Sequence, residues 1–586
     1  MKTKLKYIAW ALAPFFMVSC SDFLETPPSV DYGEDEVFST RADAEKLLTT
    51  LYAEGMPYGF CMSSTNTDRR LLSSSTLASA CDEGEDVGTW AMGNAAWNAG
   101  NHTNSSFSWD EDCRFYLRNH TTRVANLILN RINDVPYDEG DPDFNKRATG
   151  EAYFMRAMLL WEGVYRYGGM PIVREVIAPN DFSERKRNSF SDCIDSILVD
   201  CDRATHYLPD YYTDNAKLGR ATRIAALALK ARVLLYAASP LFNTNKPYMS
   251  LPGNEELIGY GNYDKERWKK AADAAKEAID AAVNSGHYKI YDTGNPETDY
   301  EYVWTTPDNE EIILGNMKYR GFKTTNRPLV ANLPTWAMNK AWGDAGLYVT
   351  FNFVKHYEKR SNGEPADWDM NGGDDLIAIY NSLDPRFKQT VAYHSSSWND
   401  EIPFINFLDG GSEKSPMDRT AHLLHKWVPR ILHVNGSNKT NVQWPVFRMA
   451  ELYLNYAEAL NEYYSAPPQE AYDAVSIVRE RAGMPAFPAG MSQEAFRTKL
   501  RNERSVELAF EDHRFWDIRR WLIAGDEGVM QGKFYGLKIH SIDGNKTHVH
   551  YTPYVFENRF WNDNCYLYAI DQSEVNKGYL VQNPGW

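Results

Sequence analysis

The 586-residue chain is 43% hydrophobic, 13% aromatic and 24% charged, with a mean hydropathy of -0.53. Those values describe a folded, water-soluble body and exclude a disordered or polytopic one. Its net charge of -17, from 62 basic and 79 acidic residues, repels nucleic acid and other polyanions at range, which argues against DNA or RNA binding.

Lys2, Lys4 and Lys6 precede an apolar stretch from Tyr7 to Val18, and Ser19 stands just before Cys20. A helix of that length rises only ~18 Å against a hydrocarbon core of ~30 Å, so residues 1–19 read as a signal peptide and not a membrane span. The junction Met17-Val18-Ser19-Cys20 resembles a lipobox, which makes Cys20 the lipidation site of a bacterial lipoprotein. An ordinary secretory signal that happens to hold a cysteine is the alternative. Several acyl chains on Cys20 would anchor the protein stably, because one chain alone binds a bilayer only marginally. Asp22 and Glu25 behind the cysteine resemble an acidic export signal to the outer face. Cys61, Cys81, Cys113, Cys193, Cys201 and Cys565 show no CxxC pair, so a zinc ribbon is unsupported. Cys193 and Cys201 lie eight residues apart in a predicted helix, ~12 Å of rise, beyond disulfide reach, and read as core thiols.

Periodicity predicts helices at Arg41 to Tyr52, Asp110 to Ile132, Ala148 to Tyr167, Ser191 to Leu208, Thr222 to Ala238 and Asp264 to Gly286. In the last, Trp268, Ala271, Ala272, Ala275, Ile279, Ala282 and Val283 keep a 3-4 spacing, with Asp264 as N-cap and Gly286 as the stop. Further helices are predicted at Phe447 to Tyr463, Gln469 to Ala482 and Phe496 to Phe510. They come in pairs across short breaks such as Ala466-Pro467-Pro468, which suggests stacked hairpins of the tetratricopeptide kind without a strict repeat. Two stretches do not fit, Gly55 to Ser106 and Thr293 to Val446. They are rich in Gly, Asn, Ser and Asp and hold Trp90, Trp97, Trp304, Trp336, Trp342, Trp368, Trp398, Trp427 and Trp444. Loops this long inside a domain are usually functional or carry irregular structure of their own, so the ligand is sought there.

The motifs then resemble those of the SusD-like (SusD/RagB) nutrient-binding lipoproteins of the outer membrane. Asp22-Phe23-Leu24-Glu25 follows the cysteine, and Trp109, Tyr116 and Asn126 mark the Trp109 to Ile132 segment. Glu151 to Ala157 leads to Tyr165-Arg166-Tyr167-Gly168-Gly169-Met170-Pro171, and Ala228 to Asn243 is a close match. Arg448 to Ala459, Val478 to Gly483, the Glu503-Arg504, Glu507, Glu511, Arg514, Asp517, Arg520-Trp521 stretch and the closing Gln582-Asn583-Pro584-Gly585-Trp586 follow in the family's order. Asp512-His513 and Ala569-Ile570-Asp571 depart from the family pattern at scaffold positions. The resemblance implies a mainly α, SusD-like fold in which a helical-hairpin scaffold carries long irregular ligand loops. The expected organisation is one domain over 20–586, with helical parts at about 20–290 and 447–586 around a loop-rich ligand region at about 293–446. Read from spacing alone, Glu503 with Glu507 and Arg514 with Asp517 sit on adjoining turns and form a structural ion-pair network, not a catalytic one.

GxxxxGK[ST], HExxH, GxSxG and the EF-hand loop are absent from the sequence. His422-x-x-His425 and His548-x-His550 read as unliganded surface pairs. Asp374-Asp375 and Glu310-Glu311 are sequence neighbours whose side chains diverge, so they do not indicate a glycosidase pair. The acidic segment Asp369 to Asp375 does not meet the calcium-loop template; no cofactor is expected, and metal, including structural calcium, is left open.

The resemblance implies a non-enzymatic, surface-exposed, lipid-anchored outer-membrane protein that captures a poly- or oligosaccharide and delivers it to a SusC-like TonB-dependent transporter. Sugar rings present flat CH faces beside hydroxyl edges, so capture requires exposed aromatic faces flanked by polar partners. Trp90 and Trp97, with Asn98 and Asn101, are the first candidates; Trp336, Trp342 and Tyr348 are the second group. Core packing is the competing role for each ring. A peptide-binding member of the same family and a secreted all-helical glycosidase are the rival readings.

Overall fold

The computed structural model describes residues 33–57, 77–86, 93–104, 115–178, 181, 185–316, 347–411, 419–431 and 442–586. The signal segment, Cys20, Cys61, Cys113, Trp90, Trp109, Trp336 and Trp342 lie outside them. Among the described residues, no helix is long and apolar enough to cross a membrane.

The fold is mainly helical, and the long helices match the periodic segments closely. They span Arg41–Gly55, Phe115–Arg131, Phe144–Tyr167, Phe190–Tyr207, Arg223–Ala238 and Glu266–Asn284 in the first half. Met449–Tyr463, Gln469–Arg481, Gln493–Glu507 and His513–Arg520 follow in the second. Their starts follow from local chemistry: Thr40, Ser189, Thr222 and Ser492 each accept from the backbone N–H three residues on, satisfying a donor that the first turn leaves unpaired. Asp264 accepts from Glu266 N at 2.9 Å, and Gly286 ends the alanine-rich helix with a φ of 74°. Small residues let neighbours approach, so Ala225, Ala228, Ala271, Ala275 and Ala278 are fully buried, and so are the thiols Cys193 and Cys201.

The loop-rich stretches have architecture of their own. β1 (Gly84–Asp86), β3 (Leu347–Val349), β5 (His422–Leu424) and β4 (Val391–Tyr393) form one sheet in the spatial order β1-β3-β5-β4, with antiparallel pairs. β2 (Ile312–Asn316) pairs antiparallel with β6 (Trp444–Arg448) alone. These sheets absorb the tryptophans. Trp304, Trp398, Trp427 and Trp444 are buried, with Trp304 to Trp427 ring centroids 6.0 Å apart and Trp427 to Trp444 5.1 Å apart. The C-terminal part is helical only to Arg520, and then a hairpin of β7 (Gly532–Ser541) and β8 (Val549–Arg559) follows.

A buried electrostatic lattice joins the sheet region to the C-terminal helices. Glu507 accepts from Arg386 at 2.8 Å, from Arg448 at 2.7 Å and from Arg481. Glu503 links Arg386 to Arg479, and Glu511 links Arg448 to Lys426. The carboxylates thus pair with residues distant in sequence. Arg514 finds Asp82 at 2.6 Å, and Asp517 bridges Arg504 and Arg520 at 2.7 Å each.

Candidate functional site

In β1 and β3 the register pairs Gly84 with Val349, Glu85 with Tyr348 and Asp86 with Leu347. Asp86 is the last described residue before the segment that bears Trp90, and Leu347 is the first after the segment that bears Trp336 and Trp342. The two stretches nominated from sequence therefore join the described fold at one point of one sheet. Trp90 is four residues from Asp86 and Trp342 five from Leu347.

Three candidates are corrected by burial. Trp97 is only 3% exposed: its ring lies 4.1 Å from His102, 5.3 Å from Tyr568 and 5.4 Å from Phe515, centroid to centroid, with the Arg519 guanidinium 5.1 Å over it. Gly93–Asn98 coils as a single π-helical turn, and that wide turn points the indole into the core. Asn98 is 0% exposed; its amide donates to the Ser79 carbonyl at 3.0 Å and to Glu85 at 3.2 Å. Tyr348 is a central-strand residue at 1% exposure, opposite both Glu85 and Leu423. None of the three offers a face to a ligand. Asn101 remains exposed, its backbone tied to the Ala96 carbonyl at 3.0 Å.

One ring that the sequence reading passes over stands beside Asn101. Phe560 is 57% exposed at the exit of β8. Its N–H donates to the Asn98 carbonyl at 3.0 Å, and Asn562 donates to the Gly100 carbonyl at 3.1 Å. Gly100 has a φ of 65°, and a Cβ there would lie 3.0 Å from the Phe560 Cβ, so the close approach requires glycine. Phe560, Asn101 and Asn562 thus stand on two backbones sewn together.

Beneath them the charge is committed. Glu85 accepts from Arg559 at 2.8 Å and from Arg419, and burial pushes its carboxyl up to about 8 against the pull of both guanidiniums. Burial likewise lifts Glu83 to about 8, although it accepts from Phe510 N at 2.9 Å. His102 falls to about 3, through burial first and Arg519 second. These groups hold the platform and are withdrawn from solvent.

The His422 and His425 pair is buried, not superficial. His422 Nε2 lies 2.7 Å from the Tyr380 hydroxyl, and burial lowers its pKa to about 3. His548 and His550 are exposed, beside Asp543 at 3.0 Å and Asp374 at 2.6 Å. Glu311 is fully buried and bound to Arg448 at 2.8 Å. Among the described residues, no group of three His, Cys, Asp or Glu side chains converges as a metal site.

The sequence model described as the SusD family matches residues 264–586, and one described as starch-binding and associating with the outer membrane matches residues 22–235. The chain belongs to the SusD family. Its relatives include the SusD-like protein P25 of Formosa agariphila, 22% identical over 548 residues and covering 89% of this chain and 90% of that one. The SusD-like protein P2 of the same organism is 24% identical over 532 residues, with the same coverage. Among solved structures, a SusD-like protein from Bacteroides fragilis superposes with a TM-score of 0.73 at 25% identity, covering 94% of this chain and 99% of that one. A SusD-like carbohydrate binding protein from the same species superposes at 0.67 and 20% identity, over 92% and 98% of the two chains. The SusD-like fold expected from the motifs is thus the observed one.

Proposed function

We propose that this SusD-family protein is a non-enzymatic glycan receptor, lipid-anchored through Cys20 at the outer-membrane surface, which passes bound oligosaccharide to a SusC-like TonB-dependent transporter. The observation that carries this reading is the pairing of Asp86 with Leu347, which brings the Trp90 segment and the Trp336 and Trp342 segment to one place in the fold. Phe560 adds an exposed ring and Asn101 and Asn562 add amides on the described frame. Aromatic faces with amide edges suit the two-sided surface of a sugar, and binding of that kind needs no reactive group. The starch-binding description of the matched N-terminal model and the carbohydrate-binding relative from Bacteroides fragilis support the ligand class.

The test is a panel of neutral and acidic oligosaccharides set against peptide pools, read by calorimetry and followed by chromatography of the recovered ligand. Intact, bound oligosaccharide is expected. Trp342→Ala and Phe560→Ala should each weaken that binding about tenfold, the loss of one stacking face at about 1.4 kcal/mol, with little change in melting temperature. Binding to peptides alone would overturn the glycan assignment, and cleavage of the sugar would overturn the non-enzymatic one.

A further inference from the structure

A groove away from the β1-β3-β5-β4 sheet runs along β2. It consists of two cavities of about 410 and 310 Å³ that share Leu218, Gly219, Arg220 and Gly315 in their walls. One wall is made by the successive residues Ile312, Ile313, Leu314 and Gly315. Side chains alternate between the two faces of a strand, so four consecutive residues line a wall together only through the strand's edge. Burial agrees. Ile312, Ile313 and Leu314 are 6%, 4% and 2% exposed, so their side chains are packed away and the groove meets mainly backbone. The opposite edge of β2 is taken by β6, and among the described residues no further strand pairs with β2.

The facing wall and the rim narrow the occupant further. Tyr211 and His287 stack with centroids 3.2 Å apart and form an aromatic ledge, with Tyr212 and Tyr288 beside it. Arg220 also lines the groove, but its guanidinium is engaged by Glu45 at 2.6 Å and Glu151 at 3.3 Å. Asp308 and Glu310 lie on the rim. Asp308 holds a left-handed φ of 58°, clamped by Gln443, whose side-chain oxygen accepts from Asp308 N at 2.8 Å and whose amide donates to the Asp308 carboxylate at 3.1 Å. A non-glycine residue is kept in that region only where its surroundings over-determine it. The clamp fixes a carboxylate at the mouth of the groove.

We infer that β2 is a strand-addition site, and that its occupant is an extended, lysine- or arginine-bearing segment of another polypeptide. The segment would pair its backbone with the open edge, set alternate side chains on the Tyr211 ledge and meet Asp308 and Glu310 with its cations. A sugar chain has no amide periodicity to match that edge. The inference does not rest on the glycan reading and concerns a separate surface.

The test uses the purified protein and a fluorescein-labelled octapeptide of alternating valine and lysine, read by anisotropy. Saturable binding is expected. N-methylation of alternate amides, which spares the side chains, should weaken it about tenfold or more through two or three lost ladder hydrogen bonds. A valine and glutamate octapeptide should bind more weakly still, and Tyr211→Ala should reduce affinity in a protein whose melting curve is unchanged. Equal binding of the N-methylated peptide, or absence of binding by all three peptides, overturns strand addition. Displacement of the peptide by a neutral oligosaccharide would make the groove a sugar site and overturn the inference as well.

Discussion

Stability should fall steeply just below neutral pH, because five histidines are held neutral in the interior. Burial lowers His102 to about 3, His356 to about 4 and His422 to about 3, and drives His425 and His513 well down. In the unfolded chain each titrates near ~6.5, so as pH drops below that value the unfolded state takes up protons that the native state refuses. Glu83 and Glu85 act in the opposite sense. Their carboxyls are raised to about 8 in the fold, so between the unfolded value of ~4.3 and 8 the native state binds the extra proton, and their contribution is lost as pH rises through 8. At pH 5.5 the histidines give the unfolded state about four to five extra protons and the glutamates give the native state about two. The net difference of about three sets a slope of roughly 4 kcal/mol per pH unit. At pH 7.5 the balance reverses and stability declines gently with rising pH, so the optimum lies near pH 7.

Urea melts followed by tryptophan fluorescence at intervals from pH 5.5 to 8 measure this directly. His422→Gln should lower the slope at pH 5.5 by about 1 kcal/mol per pH unit, and Glu83→Gln should remove part of the decline above pH 7. A stability that is flat, or that rises from pH 7 to 5.5, would show that these imidazoles are solvated or paired with acids in solution, and the reasoning from burial would fail.

Two further substitutions test the frame. Glu507→Gln keeps the shape but leaves Arg386, Arg448 and Arg481 short of one negative charge in a fully buried site, so a loss of about 3 to 5 kcal/mol in urea melts is expected. A loss under ~1 kcal/mol would mean that water reaches the cluster. Trp97→Ala should act as a core truncation, costing about 3 to 5 kcal/mol in the same assay, with ligand affinity unchanged in the fraction that stays folded.

The helices were legible because their period is local: the face of Trp268, Ala271, Ala275 and Ile279 carries its own evidence, and all four are buried. Ring placement was not. Tryptophan in a stretch rich in glycine and asparagine looks the same whether it crowns a loop or seals a small sheet, and Trp304, Trp427 and Trp444 seal one. The direction of Trp97 depends on one π-helical turn, a geometry that composition does not announce. The β7 and β8 hairpin did leave a trace. Asp543-Gly544 stands between two runs of alternating character, and β7 alternates between buried and exposed positions over part of its length. Phe560 could not be found that way, since its value as a platform comes from its packing against Gly100, more than four hundred residues earlier in the chain.

The ionic lattice explains how candidate surfaces on short strands and turns can be held still by helices far away in sequence. Among the described residues, six cations, Arg386, Lys426, Arg448, Arg479, Arg481 and Lys499, interleave with six carboxylates, Glu311, Glu358, Asp384, Glu503, Glu507 and Glu511. Apolar contact alone would let the sheet region slide on the C-terminal helices at little cost, because burial is non-directional. Charge-assisted hydrogen bonds between planar groups tolerate no such sliding, since a shift leaves a buried charge unpaired. The lattice joins Glu311, which adjoins β2, and Arg448, which ends β6, to Glu507 and Glu511. The β2 and β6 pair that walls the groove is thereby fixed to the C-terminal helices. A ligand edge that must match a partner's backbone register gains from that fixity, because a rigid edge loses less conformational entropy on pairing than a mobile one.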